Sequence, residues 1–577
     1  MKKYPKFSRT LAFLLVLAML LPSVGMTAFS QDIPCVEDGC SGKYRNGICS
    51  AAGHYEAAPI EGDVYKISNA GQLYWFAALV NAGENDADAV LTADITINAV
   101  MAAEGKLAWT PIGLYTSARE NVRYAGTFDG AGYTIYGLYY DNTNYDGRNA
   151  GLFGTVDSNG VVKNLNLADS VINGSTEIGG IASYNYGTIL GCTQSGTVTG
   201  IGATGGIVCR NLGLVLNCIN TGAVSGSTTG GIAAENNGEV VSCENSGIVE
   251  GTNSVGGIVG MNDGSVEDSL NTANVTASGT HVGGVVGNHV GGEIVACGNT
   301  GNVTGASDYI GGVAGVCSGA EITESYNTGK GPGEKSKSEA VGGVVGAIDG
   351  TNTAESSITS CYNTGKVIGR GWVGGIAGIS GYQKTPMNVE FTNSYNTGAV
   401  SGSAHVGTVV GKLSKGTVSG TYFLAGSAAN SVSGAAEATA EQFASGEVAW
   451  LLSQGGTVRI EVGEDEDYNI IYEERFISGD CWGQTIGTDA YPVFEGETVY
   501  RGYLTCADGV EIGYSNDPDV PTTKPLHTYS DRGICTVCGG YEPADLVENV
   551  YEIGNAGQLY WFAELTKSDA LHDDNGT

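Results

Sequence analysis

The sequence predicts an all-β chain built as a parallel β-helix, a solenoid of coils about 25 residues long with short capping helices and small cysteine-containing flanking modules. Three observations predict it. Glycine supplies 92 of the 577 residues against 12 prolines, and only 15% are charged. That composition is rich in turns and apolar residues, unlike a disordered polar chain. A Gly-Gly pair followed by Ile or Val recurs at Gly179, Gly205, Gly230, Gly256, Gly283, Gly311, Gly342 and Gly374, with a degenerate copy at Gly407. Between these pairs lie short β-branched runs broken by Gly and Asn, read as three strands per repeat joined by turns. A unit this short cannot bury its own apolar face, so neighbouring coils must stack. A propeller blade would need four strands and roughly 40 residues.

Taken in order, residues 1–30 read as a signal peptide. Lys2, Lys3, Lys6 and Arg9 precede the apolar stretch Leu11–Leu21, and Ala28 and Ser30 supply a small-x-small cleavage site. The protein is therefore expected to be secreted or held at the cell surface, with no transmembrane segment in the mature chain. Residues 31–63 form a small module containing Cys35, Cys40, Cys49 and His54. The stretch Ser68–Val80 offers N-cap residues followed by an aromatic-rich helix, expected to cover the N-terminal mouth of a solenoid spanning 64–425.

Two columns of the repeat support stacking. One runs Cys192, Cys218, Cys243, Ser269, Cys297, Ser325, Cys361, Ser394, as a cramped inward position requires. These cysteines read as small core residues. Two residues later Asn220, Asn245, Asn271, Asn299, Asn327, Asn363 and Asn396 form a column whose amides can bond along the solenoid, with Gln194 breaking it in the first copy. Between these columns Tyr326, Tyr362 and Tyr395 occupy three successive coils. Strand alternation sends them outward as a flat strip able to stack on sugar rings, and Trp372 is the expected neighbour in that ligand contact. Inserts before Cys361 and Ser394 lengthen the same coils, and repeat insertions map to surface loops.

After the repeats, residues 426–505 read as a C-terminal cap with a short helix near Phe443–Leu452, then irregular strands. Residues 506–550 hold Cys506, His527, Cys535 and Cys538, a set able to furnish four tetrahedral ligands to a structural zinc. In an oxidising compartment the same CxxC equally suits a disulfide, and no cofactor is required by anything else in the chain. Tyr551–Ala563 then repeats Tyr65–Ala77 almost residue for residue, and Arg532–Cys535 echoes Asn46–Cys49. Residues 551–577 thus read as the start of a second cap and β-helix unit, either truncated at Thr577 or with its helix serving another role.

The chain resembles the GLUG-motif repeat proteins. Ala150-Gly151-Leu152-Phe153-Gly154 matches the motif's core, Phe128–Ile135 is similar to the lead-in found upstream, and the resemblance covers about residues 64–425. It implies an exported bacterial surface protein of adhesin type. Some immunoglobulin-cleaving metallopeptidases carry the same repeats together with a zinc-binding HExxH, which this sequence lacks, as it lacks a GxSxG elbow and a P-loop. The expected function is that of a binding or structural module for glycans, mucin or surface proteins, and not an enzyme. The alternative is a β-helix carbohydrate-active enzyme, a polysaccharide lyase or glycoside hydrolase. A net charge of -34 argues against a nucleic-acid partner.

Overall fold

A computed structural model describes residues 33–34 and 42–567, apart from 52, 102–104, 115–121, 145–147, 307, 331–338, 349–355, 382–387, 465–469, 507–511 and 548–549. The signal-peptide reading of 1–30 and the cysteines 35 and 40 lie outside the described residues.

The repeats wind into a parallel β-helix. Parallel sheets of 14, 13, 10, 9 and 7 strands run its length, each taking one short strand per coil. A regular coil therefore carries five strands and not three: Val255–Gly256, Val259–Asn262, Ser265–Glu267, Leu270–Asn271 and Val275–Ala277 make one turn. The two-residue strands are too short to show alternation, which is why the sequence pattern hides them. The Gly-Gly pairs sit where backbones of successive coils approach closely. Added to Gly257, a Cβ would overlap the Gly284 carbonyl oxygen and the Asn271 amide.

The Cys/Ser column is buried, and its residue types follow from the corner before it. The preceding residue is left-handed in every coil: Gly191, Asn217, Ser242, Asp268, Ala296, Glu324, Ser360 and Asn393 all have φ between 50 and 60° or just below. That turn points the carbonyl of the residue before it at the column. Ser269, Ser325 and Ser394 donate their hydroxyls to the carbonyls of Glu267, Thr323 and Thr392 at 2.8–2.9 Å. The thiols of Cys297 and Cys361 do the same to Val295 and Thr359 at 3.3 and 3.2 Å. A small side chain with one donor is what the corner accepts. The cysteines of the column are free, and burial pushes the thiols of Cys297 and Cys361 up to about 12. Cys297 and Cys361 are thus inert core residues.

The asparagine column is a continuous amide ladder. Each Nδ2 donates to the next Oδ1 from Asn220 through Asn396, for example Asn245 to Asn271 and Asn271 to Asn299 at 2.8 Å. Each side chain also closes a turn onto the glycine or alanine two residues on, as Asn299 does to the Gly301 carbonyl at 2.8 Å. A second ladder runs parallel to the first: Asn185, Asn211, Asn236 and Asn262, linked at 2.7–2.8 Å. Its signal, an Asn-x-Gly turn at the same 25–26-residue spacing, is present in the sequence.

In the next coil His289 takes the asparagine's place. Its Nδ1 accepts from Asn262 Nδ2 at 3.2 Å, so Nε2 carries the proton toward the Glu321 carbonyl at 3.3 Å. Burial lowers its pKa to about 4. Because the folded value lies below the unfolded 6.5, the unfolded chain binds the extra proton first, and stability falls as pH drops from 6.5 toward 4. Replacing His289 with Asn, the residue of the earlier coils, is expected to remove about 2 kcal/mol of the wild type's destabilisation between pH 7 and 5. Urea titrations at both values check it; equal pH sensitivity in the two proteins would refute the assignment.

The N-terminal mouth is closed by α1 (Ala70–Asn81), capped by the Asn69 side chain, which accepts from Gln72 N at 2.9 Å. Leu73, Phe76, Ala77 and Val80 are buried in the main core with Leu91, Phe128 and Tyr124 of the first coils. At the other end Thr421–Leu424 and Ala435–Ala438 finish the 13-stranded sheet, with Val432 and Ala435 against the core. Two helices follow, α2 (Ala440–Ala444) and α3 (Glu447–Ser453). Phe443, Val448 and Leu452 join a separate cluster on the flank of the solenoid.

Candidate metal centre

The tyrosine strip is formed but not open. Tyr326, Tyr362 and Tyr395 stack in register, ring centroids 5.1 Å apart and planes within 8°. They leave the coil on its outer side, as alternation requires. Their strip is then covered by the chain itself: Trp482 lies 5.9 Å from Tyr362 and 5.5 Å from Tyr395, Phe494 lies 5.1 Å from Tyr362, and Phe443 lies 5.6 Å from Tyr395. The Tyr395 hydroxyl donates to the Pro492 carbonyl at 2.5 Å. All three tyrosines are buried. The expectation of an exposed ligand contact is thus corrected: a three-ring apolar strip is occupied by the aromatic face of residues 443–494. Nor is Trp372 its neighbour, since Trp372 pairs in the nine-stranded sheet and the tyrosines in the 13-stranded one.

Trp372 belongs to a different outer column, the residue preceding each Val-Gly-Gly or Ile-Gly-Gly. His281 and Tyr309 stack there at 5.4 Å, and Trp372 and His405 at 6.4 Å, with planes within 17°. Tyr309 and Trp372 are half-buried over Val316, Ala340, Ala347 and Ile379, and Lys412 Nζ sits 5.7 Å above the indole. Four of five successive coils carry a ring at this position, a pattern present in the sequence beside that of the tyrosines.

Downstream, the structure brings together Cys506, His527, Cys535 and Cys538. Their ligand atoms all lie within 4.8 Å of one another. The Sγ atoms of Cys506 and Cys535 are 3.3 Å apart, and Cys538 Sγ is 3.3 Å from His527 Nδ1. Tetrahedral zinc with bonds of about 2.3 Å to sulfur and 2.0 Å to nitrogen sets its donors within roughly 4 Å of each other. The local backbone makes this spacing. Cys535–Cys538 is a tight knuckle in which Gly539 N donates to the Cys535 carbonyl at 3.0 Å and Gly540 N donates to Cys538 Sγ at 3.4 Å. Backbone bridges Tyr529–Cys535 and Ile534–Tyr541 hold the knuckle to the segment bearing His527.

Cys506, Cys535 and Cys538 are free thiols. The Cys538 backbone N–H, ahead of the Val537 N–H and the side chains of His527 and Cys506, lowers Cys535 to about 5. Burial, together with bonds to Cys535 and Cys538, raises Cys506 to about 11. A cation binding both sulfurs would displace the proton of the raised Cys506 thiol. The N-terminal module has the same knuckle backbone, with Cys49 N donating to the His54 carbonyl at 2.8 Å and Gly53 N to the Cys49 carbonyl at 3.0 Å. Position 52 there is alanine where Cys538 stands in the second copy.

Among known proteins, the family model "The GLUG motif" matches residues 337–368. Halomucin of Haloquadratum walsbyi is 36% identical over 97 residues, 17% of this chain and 1% of that protein. A protein of Evansella cellulosilytica, provisionally named a Gly-rich membrane protein, is 35% identical over 103 residues, 17% of this chain and 11% of its own length. The chain thus spans only a small part of these relatives. Among solved structures, a protein provisionally described as an immunoglobulin A1 protease from Bacteroides ovatus aligns over 75% of this chain and 92% of its own, at 16% identity and a TM-score of 0.25. Another, titled IgA1 Protease, aligns over 66% of this chain and 22% of its own, at 14% identity and a TM-score of 0.26. Scores this low decide nothing about this chain. Among the described residues no helix is long and apolar enough to cross a membrane. The chain thus carries a GLUG motif at residues 337–368, lying inside a solenoid of like coils.

Proposed function

We propose that this is a secreted or cell-surface β-helix that binds glycans, mucin or another surface protein and does not transform them. The observation that carries this reading is the outer ring column His281, Tyr309, Trp372 and His405. Flat rings in register on a rigid wall, with an apolar floor and a lysine beside the indole, suit the faces of sugar rings. Nine strands stacked in the sheet that bears the column, at about 4.8 Å each, give a wall roughly 38 Å long, so the column is presented on a stiff rod. The similarity to Halomucin, a mucin by name, supports a place among surface glycans. A glycan and mucin array comparing wild type with Trp372→Ala/Tyr309→Ala tests it. A loss of at least about tenfold, roughly 1.4 kcal/mol, is expected; unchanged binding removes the column, and reproducible release of reducing sugar would replace binding by catalysis.

The Cys506/His527/Cys535/Cys538 centre we assign to structural zinc, holding the 506–567 module folded. One zinc per chain is expected, and Cys535→Ser is expected to weaken it by more than the ~10–100-fold typical of outer-shell changes. EDTA is expected to open the module to trypsin while leaving the main thermal transition of the solenoid in place, since the solenoid core is apolar and amide-bonded. Competition against a zinc-chelating dye and limited proteolysis read the two effects. A chelator-induced loss of the solenoid transition, or no zinc uptake at all, would overturn the assignment.

A further inference from the structure

Residues 42–81 and 528–567 are the same structural unit at a constant offset in sequence. In both, a hairpin strand pairs antiparallel with the next, Ile60–Tyr65 matching Leu546–Tyr551. In both, a capping asparagine accepts from a glutamine N–H at 2.9 Å, Asn69 from Gln72 and Asn555 from Gln558. That asparagine donates to a glutamate, Glu56 in one copy and Glu542 in the other. Gly71 N bonds the Asn46 carbonyl as Gly557 N bonds that of Arg532. Tyr55 stacks on Tyr74 at 5.0 Å and Tyr541 on Tyr560 at 5.2 Å.

The copies differ in what lies against them. In the first, strand Val64–Ile67 continues into a parallel ladder with Asp88–Leu91, and α1 packs on the first coil. In the second, Val550–Glu552 pairs only with Asp545–Val547 among the described residues. Along α4 (Ala556–Leu565) Leu559, Tyr560 and Ala563 are exposed and Phe562 is half-buried. Leu73 is 0% exposed and its counterpart Leu559 is 55%; Tyr74 is 6% and Tyr560 is 56%; Ile67 is 0% and Ile553 is 41%. An open strand edge beside an unpartnered helix face is a liability that proteins normally cover.

We propose that residues 545–567 are a docking end for the first coil of a further parallel β-helix, whose first strand extends the Val550–Glu552 edge in parallel. The first copy shows the occupant: a strand patterned like Asp88–Leu91, followed by a coil offering residues such as Leu91, Tyr124 and Phe128 to the helix. The sequences agree that the receiving face is retained. From Tyr551 to Ala563 only Glu552 and Gly554 differ from Lys66 and Ser68. Of the buried positions beyond, only Val80 changes, to Thr566. The role goes beyond glycan binding: the unit joins one solenoid to another and sets their order.

The test extends the full chain in register, repeating its own residues 82–425 directly after Lys567. Amides of 550–566, followed by hydrogen exchange, are expected to gain at least 100-fold protection, and Leu559→Asp/Phe562→Asp in the same fusion is expected to abolish the gain. A second variant replaces residues 60–81 of the full chain by 546–567. The solenoid transition is expected to stay within a few degrees. An appended solenoid that folds without protecting 550–566, one that stays unfolded although the same coils fold behind residues 60–81, or a transplanted cap that lowers the transition by more than 10 °C overturns the proposal. So does concentration-dependent dimerisation of the unextended chain through this face, which would make a second copy the occupant.

Discussion

Gly257→Ala is expected to destabilise the solenoid by about 4 kcal/mol, near the upper end for one added methyl, and to lower its melting transition accordingly. The glycine lies where three elements meet. A Cβ there would overlap the Gly284 carbonyl of the next coil and the Asn271 amide of the internal ladder. Neither is the free end of a flexible side chain. The carbonyl belongs to a repeated backbone corner, and the amide is fixed by Asn245, Asn299 and the Ala273 carbonyl at 2.8–2.9 Å. Removing the amide with Asn271→Ala is therefore expected not to rescue the variant, because the carbonyl remains. Urea unfolding of the single and double variants checks it; a Gly257→Ala protein within 1 kcal/mol of wild type would show that successive coils can part at low cost.

Trp482→Ala is the second large effect, expected to cost about 3–5 kcal/mol of local stability while leaving the β-helix folded. The indole is buried against Tyr362, Tyr395 and Phe494, the last at 4.7 Å between centroids. These contacts belong to a cluster separate from the main core, so losing them releases residues 440–500 without opening the coils. The tyrosine strip would then face solvent. Faster proteolysis and hydrogen exchange within 440–500, with unchanged far-ultraviolet dichroism from the solenoid, is the signature. Simultaneous unfolding of both parts would show instead that the flank holds the coils together. The same variant makes the tyrosine strip accessible, so any glycan binding it gains over wild type would come from that surface.

The sequence by itself determined what repeats. Gly-Gly spacing, the Cys/Ser column and the asparagine column each place one residue type at one point of every coil, and only stacking in register brings like residues together. A near-exact copy of the cap sequence likewise carries its own structure, because its hydrogen bonds close within the unit. The Cys506/His527/Cys535/Cys538 set was legible for the same reason: a CxxC knuckle is local, and only Cys506 and His527 had to be brought to it. What the tertiary structure decided is where non-repeating segments return. Alternation correctly sends Tyr326, Tyr362 and Tyr395 out of the coil, but nothing in their own sequence says that Phe443, Trp482 and Phe494, up to 168 positions away, fold back over them. The two-residue strands are too short to show a period, whereas the second ladder was legible in its repeated Asn-x-Gly turns. A side chain's direction is set by its immediate neighbours; whether that direction ends in water or under another part of the chain is set by contacts distant in sequence, which no local pattern encodes.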